Sequence, residues 1–210
     1  MSRLILPYCI VADSEVIAPA SGVRHMAVEE LACNHLRCFY STLAQRPESF
    51  TQEDALLFYA TVRAVFEKVA VIPFRFPTVL ESKQQLAEFV QKKAEDYATA
   101  LQKLRNFVQM EVRVAPASGA RGPSISGADY MAQRLKHKQT LESAGAAART
   151  SVAGMYVSWL QHETREGLRC YALVARKDAP QFEEKLKSFT AGAEVQVLVS
   201  GPWPATEFLG

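Results

Sequence analysis

No run of apolar residues in this 210-residue chain approaches the roughly 20 needed to cross a bilayer. The opening MSRLILPYCIVADSE carries one basic residue, is broken by Pro7 and lacks a small-residue cleavage site, so it reads as a strand and not a leader. No excess of one charge is present. Lys and Arg number 24 and Asp and Glu 22, a net +2, which argues against a dedicated nucleic-acid binder. Disorder as the dominant state is excluded by 49% apolar residues, enough burial to offset ordering entropy. GxxxxGK[ST], GxGxxG, GxSxG and HExxH are all missing. The glycines of ASGARGPSISG at 117–127 match no phosphate cradle and read as a linker. No catalytic residue and no cofactor is therefore expected.

Cysteine is sparse. Cys9, Cys33, Cys38 and Cys170 form no CxxC pair. Cys33, His35 and Cys38 give a C-x-H-x-x-C cluster, but zinc normally takes four ligands and no second cluster supplies the rest. These thiols read as small buried hydrophobes, and no metal site is expected. His25, His35, His137 and His162 are scattered.

The apolar run at 3–12 predicts a buried strand, 13–22 a loop, 23–26 a short strand and 36–42 another strand. Thr51 with Asp54 caps a helix whose face is Ala55, Phe58, Val62, Val65 and Val69. VIPFRF at 71–76 reads as a strand. A capping box at Ser82 and Gln85 opens a helix through Leu86, Val90, Ala94, Tyr97, Leu101 and Leu104. The second half alternates cleanly. Val108, Met110, Val112 and Val114 form a strand, and 116–126 is a linker. Ser126 with Asp129 caps a helix to about 144–149. Strands at 155–160 and 168–176 flank a polar turn, QHETREG. Pro180 opens a helix to about Phe189, and Val195, Val197 and Val199 form the last strand. The order β-α-β-β-α-β is the ferredoxin-like arrangement. The expected fold class is α+β in two domains, 1–106 and 107–210, the second ferredoxin-like.

VIPFRFPTV at 71–79, GADYMAQR at 127–134 and SGPWPATEF at 200–208 occur in this order. Together with the opening PYCIVA they resemble the gas vesicle GvpF/GvpL family across residues 3–209. The sequence departs from that pattern at Pro77, Cys9 and Ala205-Thr206-Glu207. The resemblance implies a non-enzymatic accessory or minor structural protein. It would bind the small hydrophobic shell protein GvpA, and other accessory proteins with it, in the cytoplasm or at the gas vesicle. It implies no membrane or nucleic-acid partner. A small-molecule-binding ferredoxin-like regulator is the alternative, and an enzyme of unknown class a further rival.

The motif residues are Arg75, Phe76, Tyr130, Arg134 and Trp203. Arg75 is expected to pair with a buried carboxylate such as Glu111. Tyr130 and Arg134 fall at i and i+4 on one helix face and are expected to pack between domains. Trp203, stiffened by Pro202 and Pro204, is expected to lid the C-terminal sheet. Partner binding is expected on the N-terminal domain, through strands 3–11 and 36–42.

Overall fold

A computed structural model describes residues 3–12, 16–117 and 127–209. The chain divides into two compact units. One is Met1–Asn106 with Leu209–Gly210, and the other is Phe107–Phe208.

The first unit holds β1 (Leu4–Ala12), β2 (Glu29–Cys33), β3 (Leu36–Leu43), α1 (Gln52–Phe66), β4 (Ile72–Pro73), α2 (Lys83–Gln91) and α3 (Ala94–Leu104). Its sheet runs β2-β3-β1-β4, antiparallel at each pairing. Leu4 through Val11 are all buried, because helices cover both faces of β1. On one face Tyr8 meets Phe58 of α1, ring centroids 5.3 Å apart. On the other, Ile5 and Ile10 join Leu86, Val90 and Leu101 of α2 and α3, with Leu209 packed against that cluster. Ile5 and Ile10 share a face although their spacing is odd, since the register shifts between Pro7 and Cys9. One extra residue in a strand reverses the alternation beyond it.

Four local expectations need correction here. Residues 23–26 do not form a strand: Val23–His25 is a 3-10 turn with Arg24 at φ 53° and His25 at φ 56°. A strand preceding 36–42 went unseen, because β2 pairs with β3 through the tight Asn34-His35 turn. Asn34 at φ 55° fits the left-handed position that such hairpins require. The helix from Ser82 is two helices, interrupted at Lys93 (φ −127°, ψ 23°). Leu86 and Leu101 still reach one cluster, so apolar spacing does not reveal the break. The 71–76 strand shrinks to Ile72–Pro73.

The second unit holds β5 (Phe107–Pro116), α4 (Gly127–Ser151), β6 (Ser158–Thr164), β7 (Gly167–Ala175), α5 (Ala179–Lys187) and β8 (Val195–Trp203). The sheet order β6-β7-β5-β8, antiparallel throughout, is the ferredoxin-like topology. Val108, Met110, Val112 and Val114 are fully buried together with Cys170, Ala172, Val174, Phe182 and Leu186. Gly145 of α4 lies against Leu168, where an added Cβ would come within 3.0 Å of its side chain. That contact places α4 on the apolar face and leaves the opposite side chains of the sheet facing away from it. β6 begins three residues later than the expected 155–160 and takes in Gln161 to Thr164 from the expected turn. It is an edge strand, where polar residues are tolerated. Most of the 116–126 linker, and the Ser126–Asp129 cap, lie outside the described residues.

Candidate interaction surfaces

The loop at 22–26 is held by buried polar groups. Tyr8 Oη lies 2.9 Å from Ser41 Oγ and accepts from the Val23 backbone N–H at 2.9 Å. Ser41 Oγ donates to the Ala27 carbonyl at 2.8 Å. A Cβ on Gly22 would sit 2.1 Å from Tyr8 Oη, so only glycine lets the loop approach. Arg24 then reaches the start of α1. Its Nε and Nη2 donate to Asp54 Oδ1 and Oδ2 at 3.0 and 2.8 Å, and Nη2 also meets the Ser49 carbonyl at 3.1 Å. The Arg24 guanidinium beside Asp54 holds that carboxyl down at about 2, helped by the Thr51 backbone. This bidentate pair closes a loop. Sequence reading found Asp54 as a cap but missed Arg24, whose partner lies 30 residues away.

β1 and β3, the strands expected to meet a partner, are the two inner strands of their sheet and are buried. They offer no open edge. The edge at β4 is short, and Leu80 closes the sheet beside it by exchanging backbone bonds with Ile5 at 2.8 Å each way. β2 is the other edge. Cys33 pairs with Leu36 across the two-residue turn, so the backbone groups of Glu30 and Ala32 point outward. Both residues are exposed. Beside this edge runs a trough of about 410 Å³, lined by Val16 to Ala20, Val28 and the Glu30–Arg37 ion pair. Ile17, at 78% exposure, stands at its rim. Leu56 and Tyr59, on the outer side of α1, are also exposed.

In the second unit the face opposite α4 is polar. Gln109, Glu111 and Arg113 of β5 lie there with Arg169 and Tyr171 of β7. Glu111 is bonded by Arg113 and Arg169. The chain after β8 returns over this face: Ala205 is buried, and the Glu207 N–H donates to Gln109 Oε1 at 3.1 Å.

The motif residues are divided between the units, Arg75 and Phe76 in the first and Tyr130, Arg134 and Trp203 in the second. Arg75 is exposed, and its carbonyl accepts from Thr78 Oγ1 at 2.5 Å. Glu111, the carboxylate expected to partner it, is engaged by Arg113 and Arg169 of its own sheet. Phe76 is half-buried between Phe50 and Phe58, with centroids at 5.2 and 5.1 Å. Tyr130 lies in the first turn of α4, its side chain outside the described residues. Arg134 is exposed on the same helix. Trp203 ends β8 at 46% exposure, with Nε1 donating to Ser200 Oγ at 3.3 Å. Cys33 and Cys38 point into the core while His35 stands exposed at the hairpin tip, so these three do not converge. Among the described residues no helix is long and apolar enough to cross a membrane.

The family model for the gas vesicle synthesis protein GvpL/GvpF matches residues 5–210. Among curated proteins no sequence matches the chain. Two solved structures share its fold. The gas vesicle protein GvpF from Anabaena sp. PCC7120 superposes with a TM-score of 0.80 at 12% identity, covering 100% of this chain and 97% of that one. GvpF from Microcystis aeruginosa gives 0.76 at 12% identity, with 100% of both chains covered. At that identity the superpositions establish the α+β fold, and the family model carries the kinship: the chain belongs to the gas vesicle synthesis protein GvpL/GvpF family.

Proposed function

We propose that this protein supports gas vesicle assembly in the cytoplasm by binding the small, apolar, sheet-forming shell protein GvpA. The carrying observation is the family match over residues 5–210, and that family is not an enzyme class. Before it polymerises, a shell protein exposes apolar strands, and unpaired strands aggregate. A soluble partner with a free strand edge covers such a segment by adding it to its own sheet.

In the first unit the edge that fits this task is β2, not the inner strands β1 and β3. Glu30 and Ala32 present outward backbone groups, and the neighbouring trough offers apolar surface from Val16 to Ala20 and Val28. The test is capture of purified GvpA by the full-length protein and by Ala32→Pro. Proline removes an outward N–H and is tolerated on an edge strand. Ala32→Pro is expected to melt close to wild type and to lose most GvpA binding. Unchanged binding by that variant would move the contact away from β2. Absence of binding by the wild-type protein would remove GvpA as the partner.

A further inference from the structure

Arg113 and Arg169 stand directly opposite each other on β5 and β7. Like charges in that position oppose strand pairing. Glu111, two residues along β5, compensates both with one oxygen. Its Oε1 accepts from Arg113 Nε at 2.6 Å and lies 2.8 Å from Arg169 Nε. Both contacts use the Nε edge, and the terminal nitrogens of Arg113 make no hydrogen bond among the described residues. Glu111 is 13% exposed, whereas the arginine side chains remain 51% and 40% exposed. They open on a cleft of about 270 Å³ at the end of the β5–β7 ladder, bordered by the β6–β7 turn with Arg165 and Glu166. With Glu111, the group holds three guanidinium groups and two carboxylates, an excess of one positive charge.

We propose that this cleft is a binding site for a carboxylate. A guanidinium presents parallel N–H donors that match the two oxygens of a carboxylate. The single surplus charge is balanced by one monoanionic group. Glu111 is the template, since it already shows a carboxylate between the same two arginines. An incoming carboxylate would take the outer nitrogens and add to the compensation that Glu111 and Glu166 supply. This site is independent of the shell-protein binding proposed for the other unit.

The carboxylate could belong to a free organic acid or to an acidic side chain, and calorimetry on the full-length protein separates the two. The probes are succinate, an amide-capped tetraglutamate peptide and inorganic phosphate. Binding of the peptide alone identifies a side-chain source, and binding of succinate as well identifies a free acid. In either case Arg113→Gln should weaken the interaction roughly tenfold or more, the loss of one charged hydrogen-bonding partner. Arg169 still holds Glu111 in that variant, so its melting temperature should stay near wild type. Arg113→Lys keeps the charge but not the fork, and should bind between wild type and Arg113→Gln. No binding of either carboxylate, equal affinity in Arg113→Gln, or tighter binding of phosphate than of both carboxylates would overturn the proposal.

Discussion

Arg75 and Gly22 show how single residues exchange importance once the chain folds. Arg75, between two phenylalanines, has the sequence signature of a buried cation, yet its side chain faces water. Arg75→Ala should therefore change stability by no more than about 0.5 kcal/mol, as for surface sites generally; chemical denaturation reads this directly. Gly22 looks like one more loop glycine. Its backbone is pressed against Tyr8 Oη, which is committed to Ser41 and Val23. Gly22→Ala should destabilise by about 1–3 kcal/mol, the range for overpacking. Tyr8→Phe removes the clashing oxygen together with its hydrogen bonds. In the double variant the two losses should sum to less than their separate values, a coupling that a double-mutant cycle measures. The thiols are similarly decided by surroundings. Burial raises the pKa of all four cysteines, Cys170 to about 11. In native protein at neutral pH they should react far more slowly with a disulfide reagent than after unfolding.

At the scale of elements, the start of α1 is the best-specified local structure. Thr51 accepts from the Asp54 N–H at 3.1 Å, and Asp54 accepts from the Thr51 N–H at 3.0 Å. The pattern is readable from four residues because capping is local. Thr51→Ala should remove about 1 kcal/mol of stability. Asp54 adds a pH signature. Its folded pKa of about 2 lies below the roughly 3.9 of an unfolded aspartate. It thus contributes stability above pH 4 that is lost as pH falls towards 2. The melting temperatures of wild type and Asp54→Asn should converge over that window; a constant gap down to pH 2 would contradict the assignment. Elements defined by non-local pairing were harder to read. β2 is only five residues with two glutamates, and it becomes a strand because β3 offers it a ladder. The Arg113–Arg169 opposition was likewise invisible, since alternation marks both as outward-facing but not as partners.

For the whole molecule, a net charge of +2 leaves little long-range steering. Capture of an apolar shell protein should accordingly depend weakly on ionic strength, which titration between low and moderate salt would show. The sequence by itself determined the α+β class, the ferredoxin-like order of the second half and the family. These rest on local alternation, helix spacing, caps and motif order, all written within short windows of chain. Tertiary structure decided which strands lie inside a sheet and which at its edge, and so which surface a partner can reach. It also decided that Asp54 receives Arg24, that Arg75 faces solvent, and that Glu111 serves two arginines of facing strands. The physical reason is the same in each case: burial and ion pairing depend on residues brought together from distant positions, and no local pattern carries that distance.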